Sequence, residues 1–294
     1  RRRKPTGYFW CDMTDLFGSW VPDGWIVRCL LTMARTPQHR HYVLTKRGDR
    51  MLSVLEKWAD LSGESNDFRN ARGPEATRSA HPSGRGQLFA SMLETMGSPP
   101  PGCAFPTFDW MGGPRWWPTA PLRNLWLGVS ASTRRDLAAQ IEHLRATPAA
   151  IRFLSLEPLI EDPGEIDLSG IGWVIVGGES GPGARPCQIE YVRSIVRQCR
   201  NVGVPCFVKQ LGSVPVVRPC GQHHFDFGEG IGRKARFSAM DKLHPATENW
   251  RVHFANGKGS DPAEWPEDLR MRELPEPSKK LGQLAADKEQ HDHF

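Results

Sequence analysis

Apolar residues in the first 213 positions of the chain follow two alternating patterns. Short, nearly continuous apolar runs predict buried β-strands at residues 7–13, 41–47, 124–132, 151–159, 171–180 and 205–212. Segments with apolar residues at helical spacing predict helices at 22–36, 48–60, 133–147 and 188–203. Buried strands that alternate with helices are typical of a parallel sheet covered on both faces. An open doubly wound sheet and a barrel both satisfy this pattern, and we predict an α/β fold with a parallel-stranded (βα) partial TIM-type barrel.

Two regions depart from this alternation. Residues 61–123 are rich in polar residues, proline, glycine and tryptophan, which predicts a long insertion, such as a lid, within a barrel core at 1–213. The pattern fades after residue 213. We therefore predict an irregular C-terminal appendage with short strands at 214–276 and a mobile polar tail at 277–294.

For two of the predicted helices, the sequence also predicts where the helix begins or ends and which residues form each face. In the helix at 22–36, Asp23 lies near the predicted N-cap, and the apolar face consists of Trp25, Ile26, Cys29, Leu30 and Met33. The helix at 188–203 is expected to stop at Gly203. Its outer face repeats arginine at Arg193, Arg197 and Arg200, a spacing that suits either contact with phosphates or an ordinary solvated face.

Composition narrows the class of protein and of partner. The chain has 38 basic and 33 acidic residues, and its net charge of +5 permits an anionic partner without requiring one. It has no run of 18 apolar residues, so we predict no membrane-spanning helix. The seven cysteines form neither a CxxC nor a CxxxCxxC motif, which favours reduced thiols and a cytoplasmic location.

Polar residues follow every predicted strand. Because parallel α/β sheets bind ligands beyond the carboxyl ends of their strands, acids and bases at these ends predict a site for a polar small molecule, anionic or zwitterionic, or a nucleotide. Strand ends are also where solvent begins, so the alternative for any one residue is simple exposure. The predicted catalytic residues are Asp12, Glu157 and Lys209. The predicted cofactor-binding residues are Lys46, Ser130, Gly177, Gly178, Glu179, Ser180 and Arg185. Other polar residues at these ends are Asp15, Thr45, Arg47, Ser132 and Gln210.

Glu157 is the most informative of these residues. It lies between apolar residues and is followed by Pro158, so we expect a half-buried, hydrogen-bonded carboxylate that acts as an acid, a base or an amine ligand. The alternative is a structural salt bridge to Lys46, Arg47 or Lys209.

Other motifs are weaker. The stretch GGESGPG at 177–183 is neither GxxxxGK[ST] nor GxGxxG, so the known nucleotide fingerprints are absent. Zinc ligation by Cys220, His223 and His224 lacks an evident fourth ligand, and a surface loop is the simpler interpretation. Nucleobases could stack on residues 115–117 (Arg-Trp-Trp), although packing of the insertion onto the domain explains them equally well. Binding of nucleic acid is therefore possible from the sequence, but no continuous basic run indicates it.

Seven motifs in order resemble those of the phage-encoded family of unknown function called gene product thirty-seven/sixty-eight, which itself resembles radical S-adenosylmethionine proteins. The resemblance covers residues 1–62 and 122–275. The motifs are DMTDLFGSWVPDGWI, YVLTKR, NLWLGVSAS, FLSLEPL, WVIVGGESGPGARP, FVKQLG and DPAEWPEDLRMRELP.

The resemblance implies a phage or mobile-element protein that uses S-adenosylmethionine and a four-iron, four-sulfur cluster. Members of the family carry a CxxxCxxC cluster motif upstream of the first strand, and this chain lacks it. We therefore expect the chain to begin after the cluster-bearing segment and to be inactive alone. A non-redox module that binds a nucleotide or nucleic acid, and a degenerate remnant, are the alternatives. The Gly177-Gly178-Glu179 triplet resembles one that holds the cofactor amine in radical enzymes, but there it lies early in the barrel.

Overall fold

The computed structural model describes residues 4–57, 121–218, 236–239 and 250–275. The chain divides into two compact units. The first unit consists of residues 1–131 and 135–155, and the second of residues 132–134 and 156–294.

The first unit is built on parallel strands. They are β1 (Gly7–Trp10), β2 (Arg40–Thr45), β3 (Leu125–Ser130) and β4 (Ile151–Leu156), paired in the order β1-β2-β3-β4. Burial alternates along β2, whereas every residue of β3 is buried. A central parallel strand covered on both faces needs the nearly continuous apolar sequence that β3 has.

Among the residues that the structure describes, three helices accompany these strands: α1 (Asp23–Ala34), α2 (residues 48–57) and α3 (Arg134–Ala146). Ile26, Leu30 and Met33 form the buried face of α1, as predicted. Trp25 was wrongly predicted to be buried: its side chain is 57% exposed, because it projects from the first turn on the solvent side of the helix. Pro22 occupies the N-cap position and Asp23 is the first helical residue, one position later than predicted.

The first strand is shorter and more exposed than its apolar sequence predicts. β1 ends at Trp10, because Cys11 has a positive φ of 56° that turns the chain out of the extended conformation. Phe9 is exposed on this strand. The predictions of strands at 151–159 and 171–180 also extended too far, since these strands end at Leu156 and Gly177.

In its described residues, the second unit contains two sheets and one long helix. Strands β5 (Trp173–Gly177) and β7 (Cys206–Gln210) are parallel, and α4 (Ile189–Val202) precedes β7 in the chain. A small second sheet has the order β6-β8-β10-β9, formed by β6 (Cys187–Gln188), β8 (Pro215–Val217), β9 (Arg236–Ala239) and β10 (Trp250–His253). Gly203 ends α4 with a φ of 70°, the left-handed conformation that glycine adopts without strain, as predicted.

The segment at 261–275 covers the edge of β7. Val208 N donates to Met271 O at 2.8 Å, and Glu273 N donates to Cys206 O at 3.0 Å. The indole of Trp173 also donates to Glu273 O at 2.9 Å. The segment contains two short 3₁₀ helices, Pro262–Glu264 and Glu267–Leu269. It therefore satisfies backbone groups at the edge of β7 that would otherwise be open to other chains.

The predicted parallel α/β class, with helices that alternate with strands, is confirmed within each unit, and short strands are present between residues 214 and 276. The division at residue 213 stays a prediction. The insertion, apart from residues 121–123, and the tail at 277–294 lie outside the described residues, as do residues 115–117 and the suggested zinc ligands Cys220, His223 and His224. Within the described ranges, no helix is long and apolar enough to cross a membrane.

Candidate functional site

The predicted site residues fall into groups within the two units. Asp12, Lys46 and Ser130 belong to the first unit. Asp12 and Lys46 are exposed, whereas Ser130 is buried in β3. The residues of the second unit are Glu157, Gly177, Gly178, Glu179, Ser180, Arg185 and Lys209. Two pairs of these make direct contact, Glu157 with Lys209 and Glu179 with Arg185.

Glu157 lies at the centre of the first contact. Lys209 Nζ donates to Glu157 Oε2 at 2.9 Å, and Gln210 Nε2 donates to Glu157 Oε1 at 3.3 Å. The same amide nitrogen donates to Gly178 O at 3.0 Å. The Glu157 side chain is 18% exposed, and that of Lys209 is 54% exposed. A largely buried carboxylate is thus held beside a cation that faces solvent.

The local backbone explains why consecutive residues reach the same carboxylate. The register of β5 against β7 shifts between Val176 and Gly177, so Gly177 pairs with Gln210 and Lys209 is the extra residue. An extra residue in a strand re-aims the neighbouring side chains. Leu159 N donates to Gly177 O at 2.8 Å, which fixes the segment after Glu157 to the end of β5. Sequence reasoning did not select Gln210 for the site, although its place at the strand end was visible.

Gly177 and Gly178 lie against neighbouring backbone, whereas Gly181 and Gly183 have open space around them. A Cβ on Gly178 would be 2.4 Å from Leu211 O, and one on Gly212 would be 2.7 Å from Glu179 O. Gly212 has a φ of 86°, and a Cβ on Gly259 would be 2.7 Å from Gly212 O. Hydrogen bonds join the same segments, since Gly178 N donates to the carbonyl of residue 210 at 3.0 Å. Close packing of backbone segments accounts for glycine at these positions without a bound ligand.

Glu179 and Arg185 form the second contact and close a turn. The Arg185 side chain donates from Nε at 2.7 Å and from Nη2 at 3.0 Å, and its backbone N donates at 2.9 Å. These hydrogen bonds lower the pKa of Glu179 to about 2, and the carboxylate in turn raises the pKa of Arg185. The Glu179 carboxylate is therefore already neutralised by a residue of its own loop. Ser180 is exposed at the start of this turn.

In the first unit, the Asp15 carboxylate accepts four hydrogen bonds. Its Oδ1 accepts from Phe17 N at 2.9 Å and from Thr45 Oγ1 at 2.8 Å. Its Oδ2 accepts from Lys46 N at 3.2 Å and from Arg47 Nη1 at 2.9 Å. Asp15 thus joins the loop after β1 to the loop after β2. Sequence reasoning placed Asp15 at a strand end but selected Asp12.

The predicted outer arginine face of α4 is wrong for Arg193. Its side chain is only 9% exposed and forms ion pairs with Glu190 and Asp268, the latter at 2.8 Å from Nε. Arg200 Nη2 contacts the sulfur of Met271 at 3.0 Å. Arg193 turns inward because the segment at 261–275 packs against this helix, an arrangement that helical spacing alone cannot indicate.

The cysteines of the described ranges do not form a cluster. Cys11 and Cys29 belong to the first unit, and Cys187, Cys199 and Cys206 belong to the second. Burial raises the pKa of Cys187 to about 12 and that of Cys29 to about 11. No three His, Cys, Asp or Glu residues in the described ranges are grouped to hold a metal ion. These residues therefore do not fit a four-iron, four-sulfur centre, which needs several thiolates in one place.

Comparison with known proteins places the chain in a family. No curated protein and no solved structure matches the chain. A family described as "Protein of unknown function (DUF5131)" matches residues 1–269. The chain of 294 residues therefore belongs to this family of proteins of unknown function.

Proposed function

We propose that the second unit binds a small zwitterionic or anionic ligand through Glu157, Lys209 and Gln210, and that S-adenosylmethionine is the specific ligand. The observation that carries this proposal is the ion pair between Glu157 and Lys209, whose two side chains differ in exposure. A structural salt bridge can also take this form. The position at the carboxyl ends of β5 and β7, where parallel sheets bind ligands, favours the binding role.

The donor set suits an amino-acid group. The Glu157 carboxylate is an acceptor for a ligand ammonium, and the Lys209 ammonium is a donor for a ligand carboxylate. The Gln210 amide fixes the other Glu157 oxygen, so the carboxylate keeps one orientation. Bound S-adenosylmethionine would supply an electrophilic sulfonium centre. Glu179 is not assigned to the ligand, because Arg185 of the same turn donates three hydrogen bonds to its carboxylate, two of them from the guanidinium.

Titration calorimetry with three ligands tests the proposal. S-adenosylmethionine and S-adenosylhomocysteine carry the amino-acid group, and methylthioadenosine lacks it. Because a hydrogen bond to a charged group contributes about 1.5–3 kcal/mol, Glu157→Gln and Lys209→Met should each weaken binding of the first two by roughly ten-fold or more. The control Lys258→Met changes an exposed lysine of the same unit and should leave affinity within about two-fold.

Two results would overturn this assignment. One is wild-type protein that binds none of the three ligands. The other is Glu157→Gln protein that binds S-adenosylmethionine as tightly as wild type, which would leave the ion pair with a structural role. A lower melting temperature with unchanged affinity would support that structural role directly.

Radical chemistry, a phage role and a non-redox role stay proposals. A second experiment separates radical chemistry from a non-redox role. We infer that the chain alone acts without redox chemistry, because no three cysteines of the described ranges lie together, although Cys199 and Cys206 are in contact. Anaerobic iron–sulfur reconstitution should then give a colourless protein. Absorbance near roughly 400 nm, the region expected for thiolate-bound iron, would instead support a radical S-adenosylmethionine-like enzyme. A colourless protein that binds ATP but not S-adenosylmethionine would support a nucleotide-binding module, and one that binds neither would support a remnant.

A further inference from the structure

The first unit presents an exposed tryptophan beside two cations. We define the Trp20 patch as Trp20, Lys46 and Arg47, which lie on the loops that follow β1 and β2. The Trp20 side chain is 62% exposed. Tryptophan and arginine are enriched among the residues that dominate binding interfaces, so an exposed tryptophan beside cations suits a binding role.

The position of Trp20 is fixed by its own loop. Val21 N donates to Gly18 O at 2.9 Å, and this hydrogen bond closes a tight turn of which Trp20 is the third residue. The Arg50 guanidinium binds the carbonyls of Gly18 and Val21 and donates to Asp23 Oδ1 at 2.9 Å. A Cβ on Gly18 would lie 2.6 Å from Cε2 and Cζ2 of Trp20, so the ring rests on glycine backbone. The indole is therefore positioned before any ligand arrives, which lowers the entropic cost of binding.

The two cations are also held in place. The guanidinium carbon of Arg47 lies 4.8 Å from the centre of the Trp20 ring. Arg47 Nη1 donates to Asp15 Oδ2 at 2.9 Å, and its side chain is still partly exposed. Asp15 also accepts from the backbone N of Lys46, whose side chain is exposed. The patch thus combines an aromatic surface with the exposed ammonium of Lys46 and the partly exposed guanidinium of Arg47, which is paired with Asp15.

The charge distribution indicates an extended anionic partner. The first 50 residues contain ten arginines and lysines and four aspartates, whereas the whole chain has a net charge of only +5. The basic excess is therefore confined to the N-terminal segment that carries the Trp20 patch. A polymer of phosphates is attracted by a basic segment at long range as well as through direct contacts, which a single phosphate is not to the same extent.

We propose that the Trp20 patch binds single-stranded nucleic acid, with a nucleobase stacked on the exposed part of the Trp20 ring and backbone phosphates paired with Lys46 and Arg47. Unpaired bases expose the aromatic faces that such stacking needs, and bases in a duplex do not. This site lies in the first unit and is independent of the ligand proposed for Glu157 and Lys209.

Fluorescence anisotropy with labelled single strands of about 20 nucleotides, DNA and RNA, tests the proposal against a matched duplex. Stacking is worth about 1–3 kcal/mol per base, so Trp20→Ala should weaken single-strand binding by roughly five- to one-hundred-fold. Trp20→Phe keeps an aromatic face and should retain most of the affinity. The control Trp25→Ala removes a second exposed tryptophan of the same unit and should change affinity by less than about two-fold.

Salt dependence tests the phosphate contacts separately. Lys46→Gln should weaken binding to all sequences and lower the slope of log affinity against log salt by about one. Circular dichroism spectra that match wild type show that the variants fold. The proposal is overturned if wild-type protein binds single strands no more tightly than duplex, or if folded Trp20→Ala binds as wild type does.

Discussion

A methyl group added at Gly178 separates a packing role for the Gly-Gly-Glu triplet from a ligand-binding role. In Gly178→Ala the new Cβ would lie 2.4 Å from Leu211 O, 2.8 Å from Leu211 C and 2.9 Å from the Cβ of Cys187. The first distance is about an ångström shorter than a normal contact. Two of the three atoms belong to the backbone, so a change of rotamer cannot relieve the clash.

The expected cost follows from this geometry. Overpacking a close-packed site costs about 1–3 kcal/mol, and a clash with backbone belongs at the upper end of that range. Replacing glycine also stabilises the folded chain by about 0.4–1 kcal/mol, because the unfolded chain loses conformational freedom. The net loss in the free energy of unfolding should therefore be about 2–3 kcal/mol, or roughly 3–5 °C in melting temperature for a chain of this size.

Differential scanning calorimetry measures this shift against a matched control. A Cβ on Gly257 would have no neighbouring atom within 4 Å, so Gly257→Ala should melt within about 2 °C of wild type. A Gly178→Ala protein as stable as wild type, but with weakened binding of S-adenosylmethionine, would refute the packing explanation. The triplet would then contact the ligand directly.

Two further predictions concern charged residues of the second unit. Because Arg185 lowers the pKa of Glu179 to about 2, the ion pair stabilises the fold above the ordinary glutamate pKa, and this contribution is lost as pH falls towards 2. The difference in melting temperature between wild type and Glu179→Gln should hence shrink from pH 5 to pH 2, and a constant difference would contradict the pairing. Arg193→Met should lower stability by about 1–3 kcal/mol in chemical denaturation, since it removes the buried partner of Asp268. Arg197→Met, which changes an exposed arginine of the same helix, should stay within about 0.5 kcal/mol, and equal effects of the two would contradict the inward position of Arg193.

Much of the fold followed from local patterns. Continuous apolar runs identified β3 and β7, and helical spacing identified α3 and α4, because a buried strand and an amphipathic helix each impose a period on the sequence. Gly203 marked the end of α4, since only glycine adopts its backbone conformation without strain. Errors arose where apolar residues are exposed, at Phe9 and Trp25, because hydrophobicity alone does not exclude a surface position.

The candidate site was predictable only in part. The sequence indicated Glu157 and Lys209, because each charged residue directly follows or ends an apolar run. Their contact, and the contribution of Gln210, depend on the register shift between β5 and β7, which no sequence pattern announced. Asp12 was chosen over Asp15, although only the second carboxylate is surrounded by donors from two loops.

By itself, the sequence determined the parallel α/β class, the end of α4 at Gly203 and the absence of the known nucleotide fingerprints, because each of these depends on neighbouring residues. The tertiary structure alone decided which charges are paired. Glu179 is neutralised by Arg185, and Arg193 points inward to Asp268, a residue 75 positions away in the chain. The pair of Arg193 and Asp268 forms between segments that only folding brings together. The strength of either pair depends on burial and distance, which the order of residues does not contain.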